Sequence, residues 1–299
     1  MPEELISHND SNNDLELRVK ELKQDIESRD IDQQQKSSLL DLLEQLQAFD
    51  LGRFLLTNQG LNGFWTSYVV RYPELDKGSV TDLERWILEQ SPGIVATQQR
   101  YKNFHKILNS RLANGTHLAS IPCGLMDDLL RLDYSNISDI KLTGVDLDED
   151  SLKAAASLAS DLGLDQHCEF MHANAWNLEY QDQFDILVSN GLNLYARSQE
   201  ELIELYANFY KAIKPGGILL SSFLTPPPLI DPDSPWLLAN IKIADMVQQK
   251  LLFSDLIRAK WQFYRFEEET INDLKSVGFK DIEIVYDQNK IFPSFTAVK

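Results

Sequence analysis

THLASIPCGLMDDLLRLDYSNISDIKLTGVDLDED, residues 116–150, is the stretch on which the fold turns. A short apolar run over 117–121 leads into Pro122-Cys123-Gly124, and apolar residues then recur three and four apart over 125–132, the spacing of one helix face. A second strand-like run over 141–147 closes on acid. Strand, sharp turn, helix and second strand make half of a βαβ nucleotide-binding unit. In such a unit the turn carries unpaired N–H groups and the positive end of the helix dipole to the mouth of the sheet, where an anionic or polar ligand group accepts from them. Asp146 follows Gly124 by about 20 residues, where a carboxylate can take both hydroxyls of a ribose.

The rhythm continues downstream. Helical spacing over 150–162 carries alanines on its close-packed side, and apolar runs at 168–172, 184–189 and 218–224 alternate with a helix over 199–213 and the turn Pro215-Gly216-Gly217. This order predicts a mostly parallel, doubly wound α/β sheet. TPPPLIDPDSPW, 225–236, can be neither strand nor helix and must leave the sheet as an irregular excursion. A long helix is expected over 236–261 and another over 267–277, ended by Gly278. Strands over 281–286 and 290–298, joined by Asp287-Gln288-Asn289, form an antiparallel pair.

Upstream, residues 1–14 are polar and aperiodic, so they are expected to be loose. Helical spacing over 15–26 and 39–56 flanks a polar stretch and reads as a helical hairpin; coiled-coil pairing competes, but the repeats are few. In NQGLNGFWTSYVVRYPEL, 58–75, glycines permit a bend and the aromatics offer flat apolar area with polar edges. Trp65 and Tyr68 therefore suit a lid over a ring, or ordinary packing. Thr81 is an N-cap with Glu84 in the capping-box position, Ser91-Pro92-Gly93 stops that helix, and a helix over 95–112 presents Gln98, Gln99, Arg100 and His105. The expected division is a helical N-terminal extension over 1–94 and a catalytic α/β domain over 95–299.

At 299 residues and 43% hydrophobic content the chain can bury a substantial core. Its formal charge of −18 repels a phosphate backbone, which makes nucleic acid an unlikely partner. Two cysteines, Cys123 and Cys168, are too few for a disulfide framework or a cysteine-based zinc site and point to a reducing compartment. With no apolar run long enough to span a bilayer, no membrane association is expected and the location is expected to be cytoplasmic. Oligomeric state is not legible.

Over residues 95–299, the order of elements and several motifs resemble the class I S-adenosylmethionine-dependent methyltransferases, within them a bacterial branch with a helical N-terminal extension. The resemblance implies a Rossmann-like seven-stranded, mostly parallel sheet with an antiparallel C-terminal hairpin, and S-adenosylmethionine as cofactor. In that family the first strand ends in an acid followed by G-x-G-x-G; here those positions read Ser120-Ile121-Pro122-Cys123-Gly124-Leu125-Met126, with Ser120 in the acid's place and one glycine kept. The acid helps hold the amino-acid end of the cofactor, a task that Asp127 or Asp128 could take over. Val145-Asp146-Leu147 is similar to the ribose-binding acid and the apolar side chain against adenine. Ala173-Asn174-Ala175 resembles the segment where Asn174 would bond the exocyclic amine of adenine. Asn190, Gly191 and Leu192 lie where the fourth strand reaches the methyl donor, and Lys214-Pro215-Gly216-Gly217 is similar to the turn before strand five.

Methyl transfer from a sulfonium is an in-line displacement, so its rate can come from holding acceptor, methyl and sulfur collinear in a dry pocket. Carbonyl oxygens and aromatic faces suit the sulfonium charge. Asn190 and Tyr195 are therefore the catalytic-side candidates, and Trp65, Tyr68, Arg100, Tyr195 and Trp236 the lid or acceptor-pocket candidates. Asp231, Asp233 and Arg265 are further polar candidates at that edge. A small-molecule acceptor is expected, with a protein side chain as the lesser alternative. Cys123 reads as a small apolar filler rather than a nucleophile, and no metal spacing is present. Two other readings stay open: a nicotinamide-dependent oxidoreductase, which lacks its three-glycine turn here, and a non-catalytic binding protein on a methyltransferase scaffold.

Overall fold

The computed structural model describes residues 15–75, 78–260 and 262–299; the stretch 1–14, expected to be loose, lies outside them. The chain divides into two compact units, residues 15–95 with 238–260, and Ala96–Leu237 with Gln262–Lys299. Residues 238–260, expected from the sequence in the α/β domain, belong to the helical unit.

The first unit is helical: Leu15–Ser28, Gln33–Leu46, Asp50–Asn58, Gly63–Arg71 and Asp82–Glu89, then the start of Pro92–Asn109. The single helix expected over 39–56 is two. Phe49 is extended between them, and a Cβ on Gly52 would sit 2.2 Å from the Leu46 carbonyl oxygen, so the corner needs a glycine there. Asp32 accepts from Gln35 N and starts the second helix earlier than its apolar pattern indicates. Thr81 caps as expected, but the Glu84 carboxylate accepts from the Tyr68 hydroxyl at 3.2 Å. Leu22, Ile26, Leu43, Leu46, Leu55 and Ile87 form the core, to which Leu252, Leu256 and Ile257 contribute. The long helix expected over 236–261 is instead a helix Ile243–Gln249 running into a π-helical turn Lys250–Leu256. Gln249 explains its docking: its side-chain oxygen accepts from Ser91 Oγ and from Gly93 N.

The second unit is built on a sheet of strands β1 (Thr116–Ser120), β2 (Ile140–Asp146), β3 (Cys168–His172), β4 (Phe184–Val188), β5 (Ile213–Ser222), β6 (Lys280–Val285) and β7 (Ser294–Val298). Their order is β3-β2-β1-β4-β5-β7-β6. β1 to β5 pair in parallel and β7 pairs antiparallel with both neighbours, as the sequence predicts. Alternate residues face opposite cores: Leu118, Leu142, Ile186 and Leu220 on one side, Ala119, Val145, Leu187 and Leu219 on the other. Burying each leucine contributes about 2 kcal/mol.

The Pro215-Gly216-Gly217 segment is an irregular start to β5. A Cβ on Gly217 would lie 2.8 Å from the Asp185 carbonyl oxygen, and Lys214 Nζ bonds the Asp185 carboxylate at 2.8 Å. Because these contacts are at the amino ends of β4 and β5, the turn shapes the sheet far from its ligand edge.

Candidate functional site

β1, β2, β4 and β5 all point their carboxyl ends the same way, and the sequence candidates of the second unit gather along that edge. Here the chain departs from the expected turn and helix. The helix expected over 125–132 is one turn, Asp127–Leu130, because Gly124 and Met126 both take left-handed backbone (φ +51° and +61°) and the chain leaves helical geometry again at Arg131. A helix that short has no dipole end to offer a ligand, so the anion-binding role expected of it does not hold. The turn instead serves Asp146: Gly124 N donates to Asp146 Oδ2 at 2.8 Å and Asp148 N to Oδ1 at 3.0 Å. Burial pushes the Asp146 carboxyl above its ordinary range, and those two N–H groups oppose the shift.

Gly144, which sequence reasoning passed over, makes this arrangement fit. A Cβ there would lie 2.9 Å from Phe170 and 3.1 Å from both Cys123 Sγ and Met126 Sδ. Cys123 thus fills the space above a glycine in β2. Burial, with Asp146 and Asp128 nearby, holds its thiol well above the ordinary value, which suits a filler and not a nucleophile. A glycine inside a strand, two residues before the closing Asp146, was the available signal.

Ser120, in the place of an acid, donates its hydroxyl to Asp128 Oδ2 at 2.8 Å. Asp128 is 5% exposed and its Oδ1 is buried without a partner. Burial chiefly, with Asp127 adding, pushes its carboxyl up to about 7. Asp127 is committed elsewhere, to Arg131 Nε at 2.6 Å.

Beyond β2, Leu147 is half-buried beside Asp146, and its carbonyl accepts from His172 Nε2. Asn174 Oδ1 accepts from Trp176 N at 3.0 Å and caps the turn Ala175–Asn177, so that oxygen serves the fold. After β4, Gly191 (φ +87°) turns the chain into Leu192–Tyr195. Asn190 Oδ1 is buried without a partner, and Asn193 Nδ2 donates to the Ser222 carbonyl at 2.6 Å. Arg100, 4% exposed, reaches the same end of β5, donating from Nη1 to Ser222 Oγ at 3.3 Å. Tyr195 is near enough to act on the Arg100 charge.

Other candidates are spent on structure. Arg265 ion-pairs with the buried Asp273 and lies 3.5 Å from Glu269, which removes it from any open site. Trp236 is buried, its indole N–H donating to Thr225 Oγ1 at 2.9 Å. Asp231 Oδ1 accepts from Asp233 N in a surface turn. Trp65 and Tyr68 belong to the first unit, where they pack edge-to-face with centroids 5.6 Å apart.

Comparison with known proteins agrees with this picture. Residues 121–217 match the methyltransferase domain family. A solved structure of a possible exported protein from Bordetella parapertussis is 36% identical, covers 95% of each chain and superposes with a TM-score of 0.89. The S-adenosylmethionine-dependent methyltransferase SibL shares the fold at 13% identity, covering 87% of this chain and 73% of its own, with a TM-score of 0.51. A demethylmenaquinone methyltransferase of Listeria monocytogenes is 27% identical over 109 residues, 36% of this chain and 45% of the relative; the chain thus spans less than half the length of that curated relative. The fold, the strand order and the matched domain define a methyltransferase-type α/β protein. Residues 121–217 belong to the methyltransferase domain family, and the sheet around them has the fold of the S-adenosylmethionine-dependent methyltransferases.

Proposed function

We propose that the protein transfers a methyl group from S-adenosylmethionine, in line, to a small-molecule acceptor. The observation that carries this reading is the Asp146 carboxylate, oriented at the end of β2 by the N–H groups of Gly124 and Asp148. A carboxylate so oriented is preorganised to accept from vicinal hydroxyls, each oxygen keeping a lone pair beyond its backbone bond. The donor set around it fits the cofactor. Leu147 offers a half-buried apolar face for a purine, Asn174 and Ala175 line its edge, and Pro122, Cys123 and Gly124 form a turn with no demand for a pyrophosphate.

S-adenosylmethionine supplies an electrophilic methyl on a sulfonium. The part of this chain is to orient and to exclude water. The unpartnered Asn190 Oδ1, with the Gly191 and Leu192 backbone, is an acceptor-rich surface of the kind a sulfonium favours. A net charge of −18 argues against nucleic acid, and a small molecule is the acceptor class that fits best.

Calorimetric titration with S-adenosylmethionine, S-adenosylhomocysteine and NADH tests the reading. Binding of the first two and not the third is expected. No binding of the sulfur compounds would overturn it in favour of a binding protein on the same scaffold, and binding of NADH alone in favour of an oxidoreductase.

A further inference from the structure

Arg100 is a buried cation with no ion-pair partner among the described residues. The residue is 4% exposed, and the hydrogen-bond partner of its guanidinium is the neutral Ser222 Oγ at 3.3 Å. Its Cζ lies 4.0 Å from the Phe292 ring centroid, and its Nε is buried without a partner. Among the described residues no carboxylate lies within ion-pair distance of it. The acid that acts on it from farther off, Asp287, has both oxygens taken by backbone, Oδ1 by Asn289 N at 3.0 Å and Oδ2 by Phe292 N at 2.6 Å. A stacked guanidinium keeps its charge while presenting its rim of donors to a planar acceptor.

The surroundings are also unsatisfied. Ser222 is the last residue of β5, and Ser294 opposite it on β7 has a buried hydroxyl without a partner. Asn193, bonded to the Ser222 carbonyl, has its own Oδ1 buried and unpaired, as does Asn190. Gly191 turns its bare Cα toward the guanidinium: a Cβ there would lie 3.7 Å from Nη1 and 3.9 Å from Nη2. Buried polar groups are normally paired; the leftover donors, Arg100 Nε and the Ser294 hydroxyl, suit an anionic acceptor, while the amide oxygens of Asn190 and Asn193 call for donor groups elsewhere on the same ligand.

We propose that Arg100 anchors a ligand carboxylate at the carboxyl ends of β4 and β5, and that the methyl acceptor is a small organic acid. The assignment rests on the methyl-transfer reading for the word acceptor, since the other source of a carboxylate at this edge is the amino-acid end of the cofactor.

The test compares wild type, Arg100→Met and Arg100→Lys. The first arm reads the thermal midpoint with benzoate, benzamide or chloride at matched ionic strength, on the chain alone and on the chain saturated with S-adenosylhomocysteine. Benzoate is expected to raise the wild-type midpoint above chloride and benzamide is not; Arg100→Met loses the response, and Arg100→Lys keeps part of it. The second arm compares S-adenosylhomocysteine with methylthioadenosine, which lacks the carboxylate. An affinity ratio that Arg100→Met leaves within about threefold assigns the carboxylate to the acceptor, whereas loss of about tenfold or more for S-adenosylhomocysteine alone assigns it to the cofactor. Equal benzoate and benzamide responses in wild type overturn the proposal even if Arg100→Met fails to fold, and so do unchanged responses in both arms in a folded variant. A wild type that ignores S-adenosylhomocysteine sinks the methyl-transfer reading, and the benzoate comparison on the chain alone then decides the anion site by itself.

Discussion

Ser120 Oγ donates to Asp128 Oδ2 at 2.8 Å, so the position at the end of β1 where an acid is expected holds a hydroxyl that points a carboxyl from the next turn. The carboxyl nearest that hydroxyl belongs to Asp128, eight residues further along the chain. Both residues are buried, and this has a consequence for stability.

Burial pushes the Asp128 carboxyl up to about 7 from an ordinary 3.8. Below pH ~4 the folded and unfolded chains both hold the proton. From there to pH ~7 the unfolded chain releases it while the folded chain keeps it, so stability falls as pH rises, by at most about 1.4 kcal/mol per pH unit. Asp128→Asn removes this loss. In urea unfolding the variant is expected to gain on wild type between pH ~4 and ~7 and to hold a constant lead above that; a pH-independent difference would contradict it.

His117 works with the opposite sign. Burial first, then the charges of Lys141 and Lys214, pull its imidazole down to about 4 from 6.5, while its Nε2 pairs with Thr143 Oγ1 at 2.8 Å. The unfolded chain binds a proton that the folded chain refuses, so the stability is full above pH ~6.5 and is lost as pH falls toward ~4. His117→Gln should flatten that acid limb in the same unfolding series. Where the two windows overlap, wild type shows the difference of two opposed slopes.

Gly144→Ala places a methyl against Phe170, Cys123 and Met126. The expected cost is about 1–3 kcal/mol, with weakened S-adenosylhomocysteine binding because the turn must move. Adding Cys123→Ala should recover part of both, a coupling that a double-mutant cycle measures. Strict additivity would mean that the two residues do not share the space.

Asp146→Ala removes the acceptor for Gly124 N and Asp148 N. Stability should fall by about 1–3 kcal/mol, and S-adenosylhomocysteine affinity by about tenfold or more. Asp146→Asn, which keeps an oxygen, should restore more stability than binding. Calorimetry on folded variants separates the two; unaltered affinity in both would remove Asp146 from the site.

Arg265→Met strips the buried Asp273 of its guanidinium, leaving Gln199 Nε2 as its side-chain donor. A loss of about 3 kcal/mol is expected in unfolding experiments, with S-adenosylhomocysteine affinity unchanged in the folded protein. A selective loss of affinity would return Arg265 to the site.

Local spacing carried much of this protein into view. The alternation of apolar runs, the glycine turn and the closing antiparallel pair specify the strands and their mostly parallel sense, because side-chain period and turn chemistry are properties of a few consecutive residues, while the order of the strands comes from the tertiary structure. Asp146 was legible for the same reason: its place after a strand is written in the chain. The length of the helix after the turn was not, since 125–132 has helical spacing and only the left-handed backbone at Gly124 and Met126 confines it to Asp127–Leu130.

What the tertiary structure alone decided is which polar groups are used up and which are left over. Arg265 and Arg100 read alike as arginines near apolar residues, yet one ion-pairs with Asp273 and the other donates to a serine hydroxyl and stacks on a ring. Ser120 and Asp128 become one unit, and Gly144 becomes the floor under Cys123, through contacts between segments that no local pattern relates. Burial and pairing are decided by residues far apart in sequence, so the chain determines the sheet by its periodicity, while the chemistry left open at its edge exists only once the strands are side by side.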